Sequence, residues 1–110
     1  MSWTSIFGGR ENPAKKLSRR RAIEIGEANA SECLDQGVHN RRDYESFDHA
    51  VGSYGDNVTD TVYEEGGMAA SREHPDGGLS MRDLALSSFY GYLQKKGAYQ
   101  DQDGTWHPPQ

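Results

Sequence analysis

The sequence predicts a small, mainly α protein of three to four short helices, joined by glycine-rich turns and flanked by extended N- and C-terminal arms. Three observations support this class. Apolar residues recur at spacings of three and four along much of the chain. Capping residues precede these periodic segments, and glycines follow them. The 13 glycines among 110 residues, about 12% against a usual ~7%, provide many joints.

The chain divides into an N-terminal arm over residues 1–11, a helical domain over 12–97 and a C-terminal tail over 98–110. The first helix is predicted from about residue 12 to 35, because Asn12 can cap it, Pro13 fits its first position and Gly37 can end it. Two apolar stripes predict that this helix touches two neighbours. One stripe comprises Ala14, Leu17, Ile25 and Ala28, and the other Ile23, Ala30 and Leu34.

A second helix is predicted over about residues 41–54, with Gly55 expected to end it. Its single apolar stripe consists of Tyr44, Phe47, Val51 and Tyr54. Residues 58–63 fit either a third helix or a short strand, and we favour the helix. The glycine pair at 66–67 is expected to end it, and residues 68–73 can form a further helical turn.

The last helix is predicted over about residues 81–96, following a loop at 74–78. Ser80 with Asp83 resembles a capping box, and Gly97 is a natural stop. This segment is the most apolar of the chain, so we expect it at the centre of the core. Its main face carries Met81, Ala85, Phe89, Tyr92 and Lys96.

Charge is distributed unevenly along the chain. Residues 1–21 carry six cations and one acid, whereas residues 22–110 carry six cations and 16 acids, which gives a net charge of −5. Cations at a helix start oppose the helix dipole, so local helix physics does not explain them. We expect them to meet an acidic partner, the acidic remainder of the chain itself, or nucleic acid phosphates; nucleic acid is the least favoured because the whole chain is acidic.

Large apolar side chains lie near both ends of the chain, where it is poor in other core residues. Such side chains are favoured as interface anchors, although they can also fold back onto a thin core. Leu, Ile, Val and Phe total only 16 of 110 residues, which predicts a chain that gains order from a partner. The candidate partner-binding residues are Trp3, Ile6, Phe7, Lys15, Lys16, Arg19, Arg20, Arg21 and Trp106.

The sequence offers little support for chemistry. The four histidines are scattered, the single cysteine excludes an internal disulfide, and the spacing typical of a zinc, calcium or phosphate site is missing. We therefore expect no metal, no cofactor and no enzymatic activity. No apolar run approaches the ~18 residues of a membrane span, so we expect no membrane partner.

These observations favour a non-catalytic accessory or assembly subunit that docks onto a larger protein complex. The capsid, neck or tail of a virus particle is one such setting, which places the protein in the cytoplasm or in a virion. An alternative is a small acidic inhibitor that occupies the nucleic-acid-binding groove of a target protein. A third hypothesis is a DNA-binding module built on the N-terminal helix.

Overall fold

The described residues form three α-helices: α1 (Arg19–His39), α2 (Phe47–Gly66) and α3 (Met81–Lys95). A 3₁₀ turn (Gly67–Ser71) follows α2, and two short strands, β1 (Tyr99–Gln100) and β2 (Trp106–His107), follow α3. The computed structural model describes residues 16–39 and 44–110. The prediction of a mainly α fold is confirmed.

The helices form a bundle with an up-down-up arrangement. Antiparallel α1 and α2 are joined by side-chain hydrogen bonds between three pairs of residues, which run from Arg21 to Glu65, from Asn57 to Asn29 and from Tyr54 to Glu32. Helix α3 is antiparallel to α2, because Arg82 near its start bonds to the Tyr63 hydroxyl near the end of α2. Helices α1 and α3 are therefore parallel.

A close backbone contact joins α1 to α3 at Gly26. A Cβ atom added there would lie 2.2 Å from the carbonyl oxygen of Ala85 and 2.9 Å from the amide nitrogen of Phe89. Ala22 and Ala30, one turn away on either side, are fully buried. Small residues on this face thus let the two helices approach closely.

The core lies between the three helices and is filled mainly by their apolar side chains. The largest fully buried side chains are Phe89, Leu93, Val58, Val62 and Cys33. Two of them belong to α3 and two to α2, so the core is shared between the helices and is not centred on α3 as predicted. A polar contact joins α1 to α2, because the buried Asn29 donates to the Ile25 carbonyl oxygen at 2.9 Å and accepts from the exposed Asn57 at 2.6 Å.

The predicted start and stop of the first helix are wrong. Residues 16–18 lie outside the helix, and α1 begins at Arg19 because the Ser18 hydroxyl accepts a hydrogen bond from the Arg21 amide at 3.0 Å. The proposed cap and first position, Asn12 and Pro13, lie outside the described residues. At the other end, α1 continues through Gly37 to His39.

The two predicted stripes of this helix are also corrected. Ile23 is 36% exposed and Ala28 is exposed, whereas the buried apolar face comprises Ala22, Ile25, Ala30 and Cys33. Alanine, glycine and cysteine are small, so the pattern of larger apolar residues gave the wrong orientation. Leu17 and Leu34 are half-buried and pack against the core, and Ala14 lies outside the described residues.

Helix α2 is continuous, so the predicted stop at Gly55 is wrong. Gly55 is buried in mid-helix, where an added Cβ would lie 3.6 Å from the Tyr90 hydroxyl and 3.8 Å from the Phe89 ring. Gly55 therefore lies against the aromatic side chains of α3, where a Cβ would be in ordinary van der Waals contact, and it does not end the helix. Residues 58–63 are helical, as favoured, and Gly67 with φ 65° ends the helix as expected.

The N-terminal boundary of α2 also differs from the prediction. Residues 44–46 are non-helical, because the Ser46 hydroxyl accepts from the His49 amide at 3.1 Å and caps the helix there. Helix α3 agrees closely with its prediction. The Ser80 hydroxyl accepts from the Asp83 amide at 3.0 Å, and Gly97 with φ 105° follows the helix.

The C-terminal segment is extended in its backbone but folds back onto the bundle. Strands β1 and β2 pair antiparallel, with Tyr99 opposite His107. Trp106 is only 7% exposed, its ring stacks on Tyr90 with centroids 5.7 Å apart, and its amide donates to Asp48 at 2.8 Å. Of the two alternatives for Trp106, the structure therefore has the one in which this side chain covers its own core.

Candidate partner-binding surface

The predicted partner-binding residues fall into three groups. Arg19, Arg20 and Arg21 occupy the first turn of α1, and Lys16 precedes it; all four are exposed. Trp106 is buried beside Tyr90 and Asp48, away from these cations, and offers little surface to a partner. The remaining four candidates, Trp3, Ile6, Phe7 and Lys15, lie outside the described residues.

Arg21 is held by the acidic part of the same chain. Its Nε lies 2.8 Å from Glu65 Oε1 and its Nη2 lies 2.7 Å from Glu65 Oε2, which is a two-pronged arginine–carboxylate pair. Glu24 lies 3.6 Å from the same guanidinium. The hydrogen bond from Arg21 lowers the pKa of Glu65, and the bond to Glu65 raises the pKa of Arg21.

Arg19 also meets an acid of its own chain, in the loop before α3. Its Nη2 lies 3.5 Å from Asp76 Oδ1. The same oxygen accepts from the Gly78 amide at 3.0 Å and contacts His74 Nδ1 at 2.8 Å. These bonds, the Gly78 amide first, lower the pKa of Asp76 and tie the loop to the start of α1.

Lys16 and Arg20 differ from these two arginines. Both are exposed, and neither makes an ion pair with any residue in 16–39 or 44–110. Arg72, just after the 3₁₀ turn, is likewise exposed and free of an ion pair there. Acids of the same chain therefore account for Arg19 and Arg21. Lys16, Arg20 and Arg72 remain without a charge partner among the described residues.

Two strongly exposed apolar side chains belong to the same end of the bundle. Met68 in the 3₁₀ turn is 72% exposed, and Leu79, just before α3, is 51% exposed. Leu79 follows Gly78, against which the Arg19 guanidinium lies. Sequence reasoning missed both residues, because each is a single apolar residue in a segment without periodicity.

An apolar groove opens between these elements. It encloses about 390 Å³ and is lined by Lys16, Leu17, Ala69, His74, Pro75 and Met81. A smaller hollow of about 220 Å³ shares four of these residues and also touches Arg72. We call this surface the basic end; it comprises Lys16, Arg20, Met68, Arg72 and Leu79 together with the groove.

A second groove lies beside the C-terminal half of α1. It encloses about 810 Å³ and is open to solvent. Ala28 and Leu34 of α1 and Pro109 of the C-terminal segment supply apolar surface, while Glu32 and Asp35 supply two carboxylates. Lys96, whose Nζ lies 5.4 Å from the centroid of the Tyr92 ring, also lines it. We call this the acidic groove.

The described residues give little basis for catalysis or metal binding. Within them, no group of three or more His, Cys, Asp or Glu side chains is arranged to hold a metal ion. Burial raises the pKa of the Cys33 thiol to about 12, which leaves it un-ionised near neutral pH. His107 contacts Asp101 at 2.7 Å, but that carboxylate also accepts amides of its own turn, so this pair braces the hairpin.

None of the described helices combines the length and the apolar character needed to cross a membrane. Comparisons of the chain with protein-family models, with curated proteins and with solved structures find no match.

Proposed function

We propose that this protein is a non-catalytic accessory or assembly subunit that docks onto a larger protein complex through its basic end. The observation that carries the proposal is the exposure of Met68 and Leu79 beside three cations that lack a charge partner in the described chain. The basic end would bind the partner, and no reaction is assigned to it.

The composition of the basic end supports a protein partner. Methionine and arginine are enriched at protein interfaces, whereas exposed apolar side chains bordered by charges commonly mark interaction sites. Met68 and Leu79 supply apolar contact area, and Lys16, Arg20 and Arg72 supply a basic rim. The rim would orient an acidic partner and speed its association.

Nucleic acid fits this surface less well. Five acids, namely Glu64, Glu65, Glu73, Asp76 and Asp83, belong to the elements that surround the basic end. A phosphate backbone crossing this end would meet several of them, and only three of the nearby cations in the described part of the chain are free of ion pairs there. A protein surface with a few acids in an apolar setting fits better than a continuous row of phosphates.

The setting that we favour is a particle built from many subunits, such as the capsid, neck or tail of a virus. The protein would then occur in the cytoplasm before assembly and in the virion afterwards.

The alternative, a small acidic inhibitor of a nucleic-acid-binding protein, has one specific observation in its favour. Asp56, Asp60 and Glu64 are exposed on α2 at four-residue intervals. Successive carboxylates in such a row are about 6 Å apart along the helix axis, which gives a line of negative charge. An inhibitor of this kind would displace DNA or RNA from its target, and an Asp56→Asn/Asp60→Asn variant would lose that competition.

The test of the main proposal is sedimentation of the tagged full chain in lysates of its native host cells. We expect the wild-type chain to sediment with a large particle and a Met68→Glu/Leu79→Glu variant to sediment as a 12.2 kDa monomer. Tyr99→Glu is the matched control, because Tyr99 is also an exposed apolar residue but lies on β1. Circular dichroism checks that each variant folds.

Two results would contradict the proposal. One is a wild-type chain that sediments as a monomer in fresh lysate at low salt. The other is a folded Met68→Glu/Leu79→Glu variant that stays with the particle as well as Tyr99→Glu does.

A further inference from the structure

We infer that the partner of the basic end is a second copy of this chain, which offers its acidic groove. This inference rests on the proposed function and specifies its partner. The two surfaces are complementary: the basic end has the exposed Met68 and Leu79 and the acidic groove has a partly apolar lining, and the cations of the basic end that lack a described partner are opposite in charge to the two carboxylates of the groove.

The acidic groove has the chemistry that the basic end requires. Ala28, Leu34 and Pro109 give it apolar walls against which Met68 or Leu79 can pack. Glu32 and Asp35 place carboxylates beside those walls. From residue 22 to its last residue, α1 carries four acids and no lysine or arginine, so this side of the helix is uniformly acidic.

The basic end supplies matching cations. Lys16 and Arg20 are exposed and have no acidic partner within the described chain, so binding would break no ion pair of theirs. Lys96 is the cation that lines the acidic groove, and it lies over the Tyr92 ring. The two carboxylates exceed this one positive charge, so the groove keeps an excess of negative charge.

The positions of the two surfaces determine the kind of assembly. Arg20 and Asp35 are 15 residues apart on one helix, which is about 22 Å along its axis. The surfaces therefore do not overlap, and one copy can use both at once. A contact between two different surfaces is head-to-tail, so it continues from copy to copy and forms a closed ring or an open filament.

The test uses charge reversal on the purified full-length chain, followed by sedimentation velocity from micromolar to millimolar concentration. Glu32→Lys/Asp35→Lys makes the groove basic, and Lys16→Glu/Arg20→Glu makes the basic end acidic. In each variant alone, like charges would face each other, and we expect self-association to weaken at least tenfold. In the wild-type chain, association should also weaken at high salt, because salt screens the rim charges.

Mixing the two variants is the decisive step. Each variant keeps one natural surface, so the intact basic end of one can bind the intact groove of the other, and the reversed pair is complementary as well. We expect the mixture to recover wild-type association. The matched control is Asp56→Lys/Asp60→Lys, which changes the same number of charges on the exposed face of α2, outside both surfaces.

Three outcomes would overturn the inference. The first is a wild-type chain that stays monomeric at all concentrations, as it would if its own residues 1–15 covered the basic end. The second is a control variant that dissociates as strongly as the two test variants. The third is a mixture of the two test variants that does not recover wild-type association. A monomeric pure chain whose particle in lysate still depends on Met68 and Leu79 would refute self-association alone. A wild-type chain that sediments as a monomer in lysate would refute the proposed function itself.

Discussion

Replacing Gly26 with alanine tests the account of how this bundle packs. Gly26 lies in the middle of α1, and elsewhere in a helix such a substitution is favourable by ~1 kcal/mol, because alanine loses less conformational freedom. Here the added Cβ would lie 2.2 Å from the carbonyl oxygen of Ala85 and 2.9 Å from the amide nitrogen of Phe89. Both are backbone atoms of α3, so no side-chain rotation relieves the contact.

The magnitude follows from the shift that this contact demands. A carbon atom normally approaches a carbonyl oxygen no closer than about 3.3 Å, so α1 and α3 must separate by about 1 Å at this point. Overpacking of a well-packed core is typically destabilising by about 1–3 kcal/mol, and a clash with backbone belongs at the upper end. After the gain in helix propensity, we expect a net loss of ~2 kcal/mol and a melting temperature lower by about 8–16 °C.

The assay is urea unfolding followed by circular dichroism, with two alanine variants as matched controls. Gly52 in α2 and Gly91 in α3 are exposed, and a Cβ added at either meets no atom within 4 Å. Both controls should gain about 0.5–1 kcal/mol. A Gly26→Ala variant as stable as the Gly52→Ala variant would refute the close contact between α1 and α3.

Three other outcomes are expected. Asn29→Ala removes the hydrogen bond from the exposed Asn57 amide and should lower the free energy of unfolding by about 0.5–1.5 kcal/mol in urea titration. Cys33, whose thiol pKa burial raises to about 12, should react with thiol reagents at pH 8 only as fast as the protein opens; rapid labelling of the folded chain would contradict its burial. The pKa of Glu65 lies below 4.5 in the folded chain because of its bond to Arg21. Its stabilising contribution is therefore present above that pH and lost as the pH falls further, so the stability of Glu65→Gln should decline less steeply between about pH 5 and pH 3.

Local signals predict much of this fold. The serine cap and glycine stop place α3 almost correctly, because capping depends on residues within one turn of the helix end. The helical character of residues 58–63 and the break at Gly67 also follow from local pattern. Ser18 and Ser46 are possible caps in the sequence, but the helix starts at Arg19 and Phe47 were not predicted. Asn12 and Pro13 favoured an earlier start for α1, and the apolar stripe that includes Tyr44 favoured an earlier start for α2.

Tertiary packing explains the errors that local signals cannot prevent. Gly55 reads as a helix stop until the rings of Phe89 and Tyr90 are placed over it. The close contact of α1 with α3 is made at Gly26, between the buried Ala22 and Ala30, so a search for larger apolar residues selects Ile23, which is exposed. A search for periodicity finds large apolar side chains, whereas the contact between α1 and α3 requires small ones.

The candidate surface shows a similar division between local and tertiary information. The basic cluster was visible in the sequence, and Arg20 and Lys16 remain part of the candidate surface. Arg19 bonds to Asp76 and Arg21 bonds to Glu65. The sequence separations of these two pairs are 57 and 44 positions, so no local pattern reveals them. Met68 and Leu79 could have been found only as apolar residues that fit none of the predicted helix faces.

Close packing by small residues also connects the core to the proposed assembly. A chain with few large apolar residues can still fill a core when two of its helix backbones nearly touch, because less space then remains for side chains to fill. At Gly26 the chain does this, so Met68 and Leu79 are not needed inside. The exposure of Met68 and Leu79 is therefore a feature of the surface and does not reflect an unfilled core. This is why the variants at Met68 and Leu79 should alter association while leaving the free energy of unfolding nearly unchanged, whereas Gly26→Ala should change the free energy of unfolding.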